Sequence, residues 1–262
     1  IVNLIVQMAG ITTIAIGVVF VLLLGEIDLS IGYVSAVAAV GMTIRMLPPN
    51  GWPWYFALMF ALIAVGIIGI MQGFIITRFQ LPSFVVTLAG LLVWNGVVLL
   101  MIGNGGVVII QDQIVINIAN YFLPPLWGWI IALVSVILFA VAQINRWRSR
   151  RSRDMSATPL GIVVAQVIFV SLMTFLVVYI CNLDRGVPFV GVLVMIFLVA
   201  FSFLAMRTRF GRYVYAIGGN MEAARRAGLN VSRTRIKVFM ISSIMAGMGG
   251  IILASRLRSV DT

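Results

Sequence analysis

Long apolar runs alternate along the chain with short polar connections. About eight such runs have the roughly 17 to 25 residues that a helix needs to cross the hydrocarbon layer. They cover approximately residues 4–24, 30–47, 54–76, 83–102, 126–142, 160–180, 187–206 and 236–255. Each predicts a transmembrane helix, so the expected fold class is an all-α polytopic membrane protein. The pattern leaves room for one transmembrane domain over 1–262, interrupted by a polar stretch at 103–125 and by two basic loops at 143–158 and 207–235. No segment between the runs is long enough to be a soluble catalytic domain.

Composition agrees with the pattern. Of 262 residues, 62% are hydrophobic and 10% charged, and the mean hydropathy is +1.16. One soluble core could not bury that much apolar surface, so the lipid bilayer is the expected surrounding. The formal charge of +11 does not point to nucleic acid, because most basic residues crowd into two stretches between apolar runs. Arg146, Arg148, Arg150, Arg151 and Arg153 form one cluster; Arg207, Arg209, Arg212, Arg225, Arg226, Arg233, Arg235 and Lys237 form the other. Basic loops stay on the cytoplasmic side, and two spans separate these two, so both are expected there. Counting back puts Arg78 inside, and 48–53 and 103–125 outside, with the aromatic residues of 121–129 at the interface. Both ends then fall outside. The chain opens on Ile1 rather than a methionine or a cleavable signal, which predicts at least one missing upstream span.

The chemistry of covalent catalysis is missing from the sequence. There is no histidine and a single cysteine, Cys181, so neither a disulfide framework nor a His/Cys metal site is expected. Phosphate-loop, zincin and nucleophile-elbow motifs are absent as well. No catalytic residue and no metal are expected.

Two polar interruptions carry the candidate function. The first is the basic stretch around Gly218, Gly219 and Asn220-Met-Glu-Ala-Ala-Arg-Arg-Ala-Gly228. Asn220 can cap free amides, Glu222 sits in the first turn, Arg225 and Arg226 lie near the end, and Gly228 can terminate the helix. A helix capped at both ends needs no core of its own. Ala223, Ala224 and Ala227 offer a small, close-approach surface, which suits another protein's groove; a solvated loop is the other reading. The second is Gly25-Glu-Ile-Asp-Leu-Ser-Ile-Gly32, which places Glu26 and Asp28 inside an otherwise apolar run. It reads either as a discontinuous helix beside a transport path, with Asp28 or Ser30 capping its second half, or as a tight turn at the cytoplasmic surface. Gln72, Ser83, Thr87, Asn95, Asn104, Gln166 and Asn182 are further polar side chains in or beside the runs. Amides and hydroxyls there could bind sugar hydroxyls, with Trp94 covering an apolar sugar face, or could bond neighbouring helices. The candidate path residues are Glu26, Asp28, Ser30, Thr87, Asn95 and Asn104.

The segments 25–32, Leu81-Pro-Ser-Phe-Val-Val-Thr-Leu-Ala-Gly90 and Phe210 to Asn230 resemble, in order, the signatures of bacterial ABC sugar importer permeases of the ribose/xylose group. Asn182-Leu-Asp-Arg-Gly-Val-Pro188 and Glu26, where many relatives have glycine, resemble the xylose-type branch. The resemblance implies a permease homodimer in the bacterial inner membrane. A periplasmic or lipid-anchored sugar-binding protein would load it, and cytoplasmic ABC ATPase subunits would drive it. ATP and magnesium would be bound by those subunits, this chain would bind no cofactor, and it would not be an enzyme. Gly218, Gly219, Asn220, Glu222, Ala223, Ala224, Arg225 and Gly228 match the family's ATPase-coupling segment. A Gly-rich segment that such permeases carry further on is not found before Thr262, which again predicts a fragment. The expected function is movement of a monosaccharide, a pentose such as xylose, by alternating access. A nucleoside or amino acid permease and a self-sufficient proton-coupled transporter using Glu26 and Asp28 are the alternatives.

Overall fold

The computed structural model describes residues 1–151 and 159–261, without the side chains of Asn104 and Asp261. In chain order the elements are α1 (Val2–Leu23), α2 (Ile31–Met46), α3 (Trp54–Phe79), α4 (Ser83–Ile102), β1 (Val107–Ile109), α5 (Gln113–Asn120), β2 (Phe122–Leu123) and α6 (Pro125–Arg151). Then follow α7 (Leu160–Asp184), β3 (Val187–Pro188), α8 (Phe189–Arg207), α9 (Arg209–Gly219), α10 (Met221–Arg226), α11 (Val231–Leu257) and β4 (Ser259–Asp261). The chain is an all-α polytopic membrane protein. Among the described residues, seven helices are long and apolar enough to span: α1, α3, α4, α6, α7, α8 and α11. The eighth expected run is α2, whose 16 residues reach only about 24 Å at 1.5 Å per residue.

The expected basic loop from residue 143 is corrected in part. Arg146, Arg148, Arg150 and Arg151 continue α6 as helix, because arginine is a good helix former and cations suit a helix C-terminus. The rest of that loop, 152–158 with Arg153, lies outside the described residues.

The chain divides into two compact units. One, residues 1–5 and 121–189, is built on α6 and α7. They run antiparallel, with Gly128 near the start of α6 facing Val178 and Asn182 near the end of α7. A two-stranded antiparallel ladder closes one end, Phe122 opposite Pro188 and Leu123 opposite Val187. Glutamines bridge further along, Gln143 Nε2 donating to Gln166 Oε1 at 3.1 Å. Both helices show mostly exposed apolar side chains, the surface that hydrocarbon solvates as well as a protein core would.

The other unit, residues 6–120 and 190–261, is built around α11. Its glycines and serines let backbones approach closely, which drives helix association where lipid removes the hydrophobic incentive. A Cβ on Gly69 of α3 would lie 2.5 Å from Phe239 O and 2.8 Å from Met240 Cα, and one on Gly73 would lie 2.8 Å from Ile236 Cα. The helix α1 runs antiparallel to α11, Gly10 beside Leu253 and Gly17 beside Met245. At the C-terminal end of α11, β4 pairs antiparallel with β1, Val108 opposite Val260, and Ser255 Oγ accepts from Ala119 N at 3.0 Å. At its N-terminal end stand α9, α10 and the connection between α1 and α2.

Candidate functional site

Three short-range caps build the docking segment. Thr208 Oγ1 accepts from Gly211 N at 3.2 Å at the start of α9. Asn220 Oδ1 accepts from Ala223 N at 2.9 Å at the start of α10, and Asn230 Oδ1 accepts from Arg233 N at 2.9 Å at the start of α11. Each side-chain oxygen takes an amide that the first helical turn leaves unpaired. Gly228 closes α10 with φ +82, a left-handed conformation that lets its own N–H reach Arg225 O and Leu229 N reach Ala224 O. Glu222 and Arg226 form an exposed pair at 3.6 Å, too solvated to hold the helix by itself.

The burial of α10 corrects one expectation. Ala224 does not belong to an outward surface: it is buried, and Met221 and Leu229 pack against the same cluster. Glu222, Ala223, Arg225, Ala227 and Gly228 are exposed. A six-residue helix cannot stand without an anchor, and the inward alanine lets it lie close to the unit. The cluster beneath it gathers Phe20, Val21 and Leu24 at the end of α1, Ile76 of α3, Val86 of α4, Val214 and Ile217 of α9 and Val238 and Phe239 of α11. Gly218 is needed for the same approach, since a Cβ there would strike Leu23 O. One apolar cluster thus ties the docking helices to the ends of four spans.

Residues 24–30 form a reversal between α1 and α2. Gly25, at φ +76, ends α1, and Glu26 N returns to Val21 O at 3.2 Å. The chain then heads back along α3 in the opposite direction, with Ser30 beside Gln72. The tight-turn reading therefore holds for the path of the chain. Yet the turn is set into the bundle: Gln72 lies seven residues before Phe79, about 10 Å along the helix. Buried amides at such depth need partners. Ser83 Oγ accepts from Ile27 N at 3.2 Å, and Thr87 Oγ1 accepts from Leu29 N at 3.1 Å.

Ser30 and Asp28 do not cap α2 as expected. Ser30 occupies the cap position without a side-chain cap bond, because its hydroxyl is engaged elsewhere. It donates to Asp28 Oδ1 at 2.7 Å and accepts from Gln72 Nε2 at 2.9 Å; Asp28 Oδ1 also accepts from Ser30 N at 3.0 Å. Gly90 makes room, since a Cβ there would lie 2.6 Å from Gln72 Nε2. Asp28 Oδ2 and Trp94 Nε1 are buried without hydrogen-bond partners among the described residues. Gln72 thus has the interhelical role that its amide suggested.

Glu26 points the other way, into an ion pair with Arg235 in the first turns of α11. Burial pushes the Glu26 carboxyl up from its ordinary value, and the Arg235 guanidinium opposes that shift. In the sequence Arg235 stands out only as a topological charge. A lone acidic residue beside a chain reversal needed a cation from somewhere, but nothing local named which one.

Of the candidate path residues, Asp28, Ser30 and Thr87 are thus brought together, and Gln72 and Ser83 join them, while Glu26 turns away to Arg235. Asn95 is half-buried, and its side chain forms no hydrogen bond among the described residues. The side chain of Asn104 lies outside the described residues. No group of three or more acidic, His or Cys side chains that could hold a metal is found among those described.

The pattern of the family described as branched-chain amino acid transport system / permease component matches residues 1–262. The chain belongs to this permease family. The xylose transport system permease protein XylH of Escherichia coli (strain K12) is 35% identical over 97% of the chain. Its Haemophilus influenzae counterpart is 33% identical over 97% of the chain and 68% of its own length. The L-arabinose ABC transporter permease protein AraH of Azospirillum brasilense is 27% identical over 99% of the chain and 58% of its own length. The chain spans 64% of the Escherichia coli protein. No solved structure matches it.

Proposed function

We propose that the chain is the membrane-spanning permease part of an ABC importer in the bacterial inner membrane, moving a monosaccharide, with a pentose such as xylose favoured. It works by alternating access, without catalysing covalent chemistry itself. ATP and magnesium belong to cytoplasmic ATPase subunits, and a periplasmic or lipid-anchored sugar-binding protein delivers the cargo to a permease homodimer. The observation that carries this reading is the capped helix α10 seated on a cluster shared with the ends of α1, α3, α4 and α11. A partner can bias a transport equilibrium only through contacts that differ between its states. A rigid helix coupled by packing to four spans provides such contacts. Gly218, Asn220 and Ala224 give it shape and seating, while the exposed Gly219, Glu222, Ala223, Arg225 and Gly228 face the ATPase.

The path lies beside the reversal of 25–32, where Asp28, Ser30 and Thr87 meet and Glu26 is held by Arg235, with Asn95 and Asn104 further along the same route. The xylose assignment rests on the similarity to two xylose permeases. The arabinose permease fits the pentose reading; a second cargo class has its own support, since a relative named for autoinducer 2 is also similar, and α10 does not read cargo.

The test is co-purification from native membranes followed by radiolabelled pentose uptake in proteoliposomes, for the wild type and Glu222→Lys. An ATPase should accompany the wild type and be lost, with uptake, in a variant that still inserts and elutes as a single species. Normal ATP-dependent uptake by Glu222→Lys would sink the coupling role. Uptake driven by a proton gradient without any ATPase would replace the reading with a secondary transporter.

A further inference from the structure

At the end of the α11-centred unit remote from the docking helices, a half-open cavity of about 220 Å³ is lined by Thr43, Met46, Leu47, Trp52, Gln111 and Asp112. We propose that this cavity is an entry subsite for a neutral polyol, where the sugar of the importer reading is held before it reaches the path. The proposal rests on that reading for the direction of movement, but its recognition chemistry stands on the cavity itself.

Three features set the ligand class. Trp52 is pinned: the Arg45 guanidinium lies 5.3 Å from its ring centroid, and Phe60 meets it edge-on at 5.7 Å. Its indole is thus a fixed apolar plate on the cavity wall, of the kind against which the C–H face of a sugar ring packs. Asp112 is fixed as well. Its Oδ1 accepts from Ile114 N at 2.8 Å and from Val115 N at 3.1 Å, and its second oxygen forms no hydrogen bond among the described residues. That oxygen is a rigidly held acceptor for a hydroxyl, beside the amide of Gln111, which both donates and accepts. Finally, Asp112 is the one charged residue of the described lining, so the cavity disfavours an anion and offers an acceptor to a hydroxyl. The volume falls below the usual range for drug-sized ligands, which fits a small solute and excludes a peptide segment.

The experiment uses the full-length protein in nanodiscs and scintillation-proximity binding of radiolabelled xylose and arabinose, with leucine as the charged-ended control. Three variants accompany the wild type: Trp52→Ala, Asp112→Asn and Glu222→Lys. Asparagine caps a helix as well as aspartate does, so Asp112→Asn changes the acceptor while leaving α5 capped. The expected result is weak sugar binding, reduced about tenfold by Asp112→Asn and by Trp52→Ala, the size of a lost buried polar or apolar contact, and unchanged in Glu222→Lys. Equal sugar binding in all four proteins would overturn the subsite, as would a wild type that binds neither sugar. Uptake in proteoliposomes judges the importer reading separately: transport by Asp112→Asn with unchanged KM leaves that reading standing while removing this one.

Discussion

The helices α7 and α11 have nearly the same length, 25 and 27 residues, and opposite surroundings. Of the most apolar 18-residue window in each, 11% is buried in α7 and 72% in α11. The more apolar helix is the more exposed. In water the reverse would hold, but hydrocarbon solvates Leu, Ile and Phe as well as a protein interior does, so apolarity does not select a helix for the centre. What α11 has instead is close approach and polar pairing: Gly69 and Gly73 of α3 lie against its backbone, Ser255 bonds α5, and Arg235 meets Glu26. By contrast, Gly161 of α7 has nothing within 4 Å of the position a Cβ would take.

That contrast can be broken most strongly at the glycines. Gly69→Ala puts a methyl into the backbone of α11, where neither helix can yield, and should cost about 3 kcal/mol, the upper range for overpacking. Gly161→Ala should be neutral or stabilise by a few tenths of a kcal/mol. Thermal unfolding of both variants in one detergent measures the difference; equal midpoints would remove the close-packing explanation for α11.

Arg235→Ala comes next, at about 3 kcal/mol, the low end for breaking a buried pair, since it leaves an uncompensated carboxylate. Adding Glu26→Gln should recover most of the loss, which a double-mutant cycle reads directly. Independent, additive losses would mean that the two side chains do not hold the reversal to α11.

Ser30→Ala should cost about 1 to 3 kcal/mol, because it leaves Asp28 Oδ1 and Gln72 Nε2 each short of a partner. Smallest is Asn220→Ala, about 1 kcal/mol for a lost cap, confined to α10 and visible as faster amide exchange there while the spans keep their protection.

Legibility differed between these features for a physical reason. Caps and spans are local: Asn220, Gly228 and seven of the eight apolar runs act within a few residues of themselves and are readable in order along the chain, while the run at 30–47 loses its length to the reversal that precedes it. Partners across the bundle are not readable in that way. Gln72 stands out in the sequence as an amide at membrane depth, but nothing in its neighbourhood names Ser30. Ala224 looked outward because the surface of a short helix is undefined until something supports it. The basic stretch after 142 read as loop because charge counted against a span, while the helix ran on to Arg151 past the apolar run.

The sequence by itself determined that the chain is a helical protein crossing the membrane many times, where the docking helix starts and stops, and the family to which the chain belongs. Transfer into hydrocarbon and amide capping depend on composition and short-range order, which the linear chain contains. Only the tertiary structure decided that α11 is the centre, that Glu26 meets Arg235, and that the reversal at 24–30 is set into the bundle. In a surrounding as apolar as the protein interior, inside and outside differ by the fit of small residues and the pairing of a few polar groups, and those exist only once distant segments meet.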